Sequence, residues 1–376
     1  EINSMPDQYT EVTKKSWGSR LGGSIGGIFF GILLFLAAFA VLFWNEGRVG
    51  LSETAKDAKP FDASVEQLQA PADGTLVAAS GVLSSVDEIG DGQFLKNGNY
   101  LIVRRNVETY AWVEKSQSTT ETKIGGSQET KTTYDYEKQW VSTVPDSSNF
   151  KVRDGHMNQP KEYQDVANIV PTATVGVYGL DPTELVLPGS HPLTLTEEIV
   201  NLPENGELVG GEYMYIGGFS MNDPVVGNTR ISYDVLPAGD TVTVFGALNG
   251  KTISPYFNKD GQKLYEARMT GFEASVIAME TEHSRSLWIW RVVGFLMMWI
   301  GLGMVLAPLS VLLDVLPFLG SLSRGAVSLA TGLISIVLSV VTILVSMIFH
   351  NVVALVLAVL IAIVGVVYVF KKKGKK

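Results

Sequence analysis

Four stretches of this chain, 21–44, 292–313, 325–349 and 352–370, contain no Asp, Glu, Lys, Arg or His. A helix needs ~20 apolar residues to cross the ~30 Å hydrocarbon core of a bilayer, and each stretch is long enough. The first is too long for a signal-peptide core and lacks a cleavage site, so it reads as an uncleaved anchor. Met5 is the expected start, and residues 1–4 carry no weight in this reading. The expectation is a multi-pass α-helical membrane protein with four spans.

The basic residues near the span ends give the chain a direction. Lys14, Lys15 and Arg20 precede the first span, and the chain ends Lys371-Lys372-Lys373-Gly374-Lys375-Lys376. Both tails are therefore expected in the cytoplasm, along with Asp314 and Arg324 between spans two and three. The expected division is a cytoplasmic tail 1–20, span one 21–44, an extracytoplasmic domain 45–286, span two 287–313, a cytoplasmic loop 314–324, span three 325–349, span four 352–370 and a basic tail 371–376. Arg291 runs against the charge rule, but it sits beside Trp288 and Trp290 at the outer edge of span two, where it can snorkel outward.

Between the first two spans the composition changes. Residues 46–286 hold 34 Asp and Glu against 19 Lys and Arg. Such a surface repels phosphate backbones, which argues against a nucleic-acid partner. Cysteine is absent, so disulfides and thiolate chemistry are excluded. No Asn-x-Ser/Thr sequon occurs, which favours a bacterial source and a periplasmic insert. In a eukaryote the corresponding compartment is that of the endoplasmic reticulum or inner nuclear membrane.

The insert reads as a large β-rich (α+β) domain. Residues 49–73 form a polar connector, and from Gly74 onward short alternating runs are broken by Gly, Pro, Asn and Asp. The expected strands are 75–83, 100–115, 130–143, 172–178, 212–219, 229–235 and 241–248. Gly125-Gly126-Ser127 marks a hairpin turn. A three-residue loop centred on Gly126 pairs Lys115 with Glu137, Glu114 with Lys138 and Trp112 with Trp140, and opposite charges support that register. One face then carries Tyr110, Trp112, Tyr134, Tyr136 and Trp140, either as a core face or as a surface offered to a partner. Gly74-x-x-Val77-x-x-x-Gly81-x-Leu83 is echoed by Gly239-x-x-Val242-x-x-x-Gly246-x-Leu248, the spacing of two copies of a small β unit. Residues 271–286 are expected to be a helix running straight into span two.

Chemistry-bearing patterns are weak. Gly22-Gly23-Ser24-Ile25-Gly26 has the spacing of a nucleophile elbow but opens a membrane helix. Gly246-Ala247-Leu248-Asn249-Gly250-Lys251-Thr252 is one residue short of a phosphate loop, and Ser254-Pro255 follows where a helix must start. The four histidines lack ligand spacing. Neither a cofactor nor a metal is expected. Gly23, Gly27 and Gly31 fall on one face of span one, where another helix can approach closely, in this chain or in a second copy.

Several motifs in order carry a family resemblance. They are Asn45-Glu46-Gly47-Arg48 after span one and Arg104-Arg105-x-Val107-Glu108-x-Tyr110-x-Trp112-Val113-Glu114. Thr133-Tyr134-x-Tyr136 with Trp140, Asn149-Phe150, Gly155-His156, Arg230-Ile231-Ser232-Tyr233 and Trp288-x-x-Arg291-x-x-Gly294 follow. In this order the chain resembles the transmembrane protein 43 (LUMA) family over nearly its whole length. The resemblance implies four spans, cytoplasmic ends and a lumenal or periplasmic domain. It also implies residence in the endoplasmic reticulum and inner nuclear membrane of animals, association with lamins and emerin, and a role in organising membrane complexes. It brings no catalytic residues.

The reading is therefore a non-enzymatic membrane scaffold in a lipid bilayer, with protein partners and a homo-oligomer as expected associates. Its candidate interface residues are Gly23, Gly27, Gly31, Glu46, Arg48, Tyr110, Trp112, Tyr136, Trp140 and Arg291. An oligomeric channel and an envelope lipid- or glycan-modifying enzyme stand as alternatives.

Overall fold

The computed structural model describes residues 8–65, 71–218, 220–315, 317–351 and 356. The expected fourth span, 352–370, therefore lies outside the described residues except for Val356. In chain order the elements are β1 (Gln8–Lys15), α1 (Trp17–Glu46), α2 (Leu51–Lys56), β2 (Lys59–Asp62), β3 (Leu76–Ser84), β4 (Tyr100–Thr122) and β5 (Gln128–Val141). Then come β6 (Val166–Ile169), β7 (Ala173–Val175), β8 (Tyr178–Leu180), β9 (His191–Pro192), β10 (Gly206–Val209), β11 (Tyr213–Ile216), β12 (Thr229–Pro237) and β13 (Thr241–Asn249). The last are β14 (Thr252–Ser254), β15 (Tyr256–Phe257), β16 (Lys263–Leu264), β17 (Glu266–Arg268), α3 (Phe272–Leu313) and α4 (Pro317–His350).

Three helices, α1, α3 and α4, are long and apolar enough to cross a membrane. Ser16 caps α1, its side chain accepting from the Ser19 amide. Pro317 opens α4, where its missing N–H would have no partner in any case. The expected helix over 271–286 is the start of α3, which runs unbroken through Pro308 to Leu313.

The chain divides into two compact units. One comprises Leu51–Gln117 and Thr133–Glu280 with the residues up to Thr10. The other comprises Glu11–Gly50, Ser118–Thr132 and the chain from Thr281 onward. In the first, alternating side chains of two sheets build separate cores. One sheet runs β1-β5-β4-β12-β11-β10, and the other β17-β13-β14-β8-β7-β3-β2. Val77, Ala79, Leu101, Val175, Val242 and Val244 anchor one core. Val103, Val107, Met214, Ile231 and Tyr233 anchor another.

The repeated spacing has a structural basis, because β3 and β13 are antiparallel neighbours. Val77 stands opposite Gly246 and Gly81 opposite Val242. The pairing closes at both ends, with Gly74 N–H donating to Leu248 C=O and Gly239 N–H to Leu83 C=O. The two copies thus pair with each other about a local two-fold axis. Gly81 and Gly246 each lie across the ladder from a valine of the other copy.

The hairpin register differs from the sequence expectation by one step of the ladder. The Lys123 amide donates to Ser127 C=O, so the loop is Ile124-Gly125-Gly126. Beyond it the hydroxyls of Ser118 and Thr132 meet at 2.8 Å and those of Thr120 and Thr130 at 2.9 Å. Trp112 faces Lys138 rather than Trp140, with the ammonium 4.7 Å from the ring centroid. The turn decides this outcome. Gly125 and Gly126 both take positive φ, 89° and 79°, and only adjacent glycines supply that without strain. Of the expected cross-strand charge pairs, Lys115 still reaches Glu137 diagonally, whereas Lys138 lies over Trp112 instead of pairing with Glu114.

One element was not expected at all. Residues 8–15 read as a polar tail, yet they form β1 at the edge of the sheet beside β5. Tyr9 lies 6.2 Å from Tyr134, and Gln8 donates to Asp135.

Candidate functional site

The candidate residues fall in two places, one in each unit. In the helical unit, Asn45-Glu46-Gly47-Arg48 forms the end of α1, and each residue has a distinct contact. Asn45 is fully buried and donates to the Leu287 carbonyl of α3 at 3.1 Å. Glu46 receives both ends of the Arg291 fork, Nε at 2.8 Å and Nη2 at 2.7 Å. Such a two-pronged pair fixes orientation as well as distance. Gly47 lets the His350 imidazole approach the backbone, because a Cβ there would run into that ring unless it moved. Arg48 donates from Nη2 to Asn45 Oδ1 and to Ser286 Oγ, both at 3.0 Å, and lies over the Trp44 ring at 5.0 Å. The motif is a four-residue fastening of α1 to α3 and α4.

The glycine face divides in two. Gly31 is packed tightly against α3, where an added Cβ would lie 2.8 Å from both Gly301 O and Met304 Cβ. Gly301 reciprocates against Phe35 and Gly31. Gly23 and Gly27, by contrast, meet nothing within 4 Å among the described residues. The candidate face is thus an internal crossing point at one end and open at the other.

Two features of this unit escaped the sequence reading. The buried Arg20 pairs with the fully buried Asp314 and also donates to the Gly126 carbonyl, while Trp17 packs on Gly126. Gly125 N–H donates to Val315 C=O at 3.0 Å, so the hairpin tip, the start of α1 and the end of α3 form one cluster. Along α4, Thr331, Ser335, Ser339 and Ser346 are buried. Ser346 donates to Phe43 C=O and Ser339 to Met298 Sδ. The signal was present in the sequence as hydroxyls every three or four residues, a pattern that joins helices in lipid.

In the β-rich unit the aromatic face is covered at Tyr136 and half-buried at Tyr110, Trp112, Tyr134 and Trp140. Tyr136 is buried and stacks on His156 with centroids 4.1 Å apart, while Trp112 meets the same imidazole edge-on at 4.7 Å. The Tyr136 hydroxyl donates to Glu114 at 2.6 Å and accepts from the Val152 amide at 2.8 Å. Burial, then the bond to Glu114, pushes its pKa up to about 12. Tyr110 and Trp140 pack together, and Arg230 lies over Trp140 while pairing with Glu108 across the ladder. Phe150 and His156 therefore form the cover, which accounts for two further motifs.

Asp91 heads a Gly-, Asp- and Asn-rich stretch, 91–99, that lacks the ligand order of an EF-hand and reads as a solvated loop, yet it is the most enclosed charge among the described residues of the unit. Its Oδ1 accepts the amides of Gln93, Phe94 and Leu95, and its Oδ2 accepts Arg105 at 2.8 Å and Tyr233 at 2.6 Å. Burial pushes its pKa up, but the hydrogen bonds from Tyr233 and the three amides outweigh it and hold the carboxyl below its ordinary range. Burial and the same bond push the Tyr233 phenol far up. Among the described residues no group of three His, Asp or Glu is placed to hold a metal ion.

Comparison with known proteins follows the same motifs. Residues 109–352 match the family described as Transmembrane protein 43. Relatives include Transmembrane protein 43 of Rattus norvegicus, 27% identical over 318 residues, covering 79% of this chain and 78% of the relative. That of Homo sapiens is 27% identical over 317 residues with the same coverage. The Transmembrane protein 43 homolog of Drosophila melanogaster is 25% identical over 283 residues, covering 72% of this chain and 74% of the homolog. No solved structure matches.

Proposed function

The chain belongs to the transmembrane protein 43 family, and from that premise we propose that it is a non-enzymatic organiser of membrane complexes. Its helices associate laterally and its β-rich insert binds protein, lipid or envelope partners. The observation that carries this reading is the open face of α1. Among the described residues nothing comes within 4 Å of a Cβ position at Gly23 or Gly27, on a helix whose next glycine, Gly31, already serves as a helix crossing. In lipid, close approach over small residues is what drives helix association. The motif residues support a structural role, since Arg105, Glu108, Glu114, Arg230 and Tyr233 all fasten one element to another.

The proposed placement has both tails in the cytoplasm and the insert outside, on the strength of the basic flanks at Lys14, Lys15, Arg20 and 371–376. The β1–β5 pairing adds a condition, because paired strands share one compartment.

Crosslinking inside the native membrane, read by mass spectrometry, tests the proposal. It is expected to return self-links from the Gly23–Gly27 segment together with recurrent partner links from the insert. A chain that yields neither is no organiser.

A further inference from the structure

The end of α1 carries one more cation than its neighbours neutralise. Arg291 is matched by Glu46. Arg48 has no ion pair with any described residue, and its Nη2 spends its hydrogens on the neutral acceptors Asn45 and Ser286. Its Nε is buried without an acceptor among the described residues. Its Nη1 makes no hydrogen bond to them either. A donor left unpaired away from water is unfavourable, so the arrangement favours an incoming acceptor.

The surroundings say what kind of acceptor fits. Trp44 lies under the guanidinium, and Trp44, Trp288 and Trp290 are exposed together, as at the edge of a bilayer. Cβ positions built at Gly47 and Gly50 would run into His350 and His283, so an imidazole flanks the Arg48 backbone on either side. Neither histidine has an ion pair among the described residues. A planar, weakly hydrated guanidinium with free N–H groups, held rigid at the headgroup level, matches a phosphate oxyanion.

We propose that Arg48 is a phosphate-binding site at the membrane surface, of the chemistry presented by an anionic phospholipid headgroup. Asn45, Ser286 and Trp44 orient the guanidinium, and Glu46 contributes by occupying Arg291, which leaves Arg48 as the open cation. The proposal needs α1 and α3 to sit in a bilayer and is independent of what the insert binds.

The test uses the full chain in detergent with an equimolar mixture of phosphatidylglycerol and phosphatidylcholine, the retained lipids being counted by native mass spectrometry. Wild type is expected to retain phosphatidylglycerol preferentially. Arg48→Gln is expected to lower that preference roughly fivefold, the weight of one basic residue at an anionic surface. Arg48→Lys is expected to fall between the two, since it keeps the charge and loses the fork. Arg285→Gln, at an exposed cation nearby on α3, is expected to match wild type. The proposal is overturned if Arg48→Gln keeps the full preference, or if Arg285→Gln loses as much. Excess inorganic phosphate separates the sources. Displacement of lipid from wild type but not from Arg48→Gln supports the oxyanion site, whereas phosphate binding without any lipid preference removes the headgroup assignment. Should Arg48→Gln fail to fold, Arg48→Lys and the phosphate competition on wild type carry the decision.

Discussion

At the scale of single residues, the charges worth changing are the enclosed ones. Asp91 and Arg105 keep 0% and 6% of their side chains exposed. Asp91→Ala removes the carboxylate paired with the buried Arg105, and the expected loss is about 3–5 kcal/mol in chemical denaturation of the full chain. The pH dependence has a definite sign. A carboxyl whose folded pKa lies below its unfolded value of about 3.9 stabilises the fold above that value. That stability drains away as the pH falls through the folded pKa, so acid unfolding of wild type is expected to steepen below about pH 4 and that of Asp91→Ala to be flatter there. Tyr136 acts at the other extreme, its stabilisation being complete below about pH 10 and lost as the pH rises through about 12. A spectroscopic titration of phenolate checks this, with Tyr136 and the more strongly raised Tyr233 released late and together with unfolding. The motif residues Arg105, Glu108 and Tyr233 stand out in the sequence, but Asp91 does not. It lies in a Gly- and Asp-rich loop whose composition is that of solvated turns, and nothing local reveals a partner on β12.

For individual elements, the hairpin and the helix crossing give the sharpest expectations. The chain has no cysteine, so an introduced pair reports cleanly. Thr120→Cys with Thr130→Cys is expected to oxidise readily to a disulfide, because the two positions face each other. Thr122→Cys with Thr130→Cys, opposed in the register that charge pairing favours, is expected to stay reduced. Gly31→Val inserts an isopropyl group where Gly301 and Met304 leave no room even for a Cβ, and a loss of about 1–3 kcal/mol is expected from overpacking. Gly27→Val meets no described neighbour, so folding is expected to hold while self-links from α1 fall. Most strands and the long α3 were legible because alternation and apolar runs are local signals. The register was not. It turned on two consecutive glycines at positive φ, whose demand outweighed cross-strand charge pairs worth only ~0.2–1 kcal/mol each. β1 was illegible for a related reason, since its Thr- and Lys-containing sequence pairs as an exposed edge and hides no apolar face.

Across the whole molecule, the tail and the hairpin tip are expected to share one side of the membrane. Single cysteines placed at Lys14 and at Ser127 should react with an impermeant maleimide from the same face of sealed vesicles, and labelling from opposite faces would remove the β1–β5 pairing. That pairing also sets an order of events during synthesis. Gln8–Lys15 leaves the ribosome more than a hundred residues ahead of Gln128–Val141. At ~5–20 residues per second the delay is roughly 6–25 s. By then α1 has met the membrane, while β1 is still a strand without a neighbour. The tail therefore cannot take its final form when it is made; it is finished only by a segment translated after the first helix has committed to lipid.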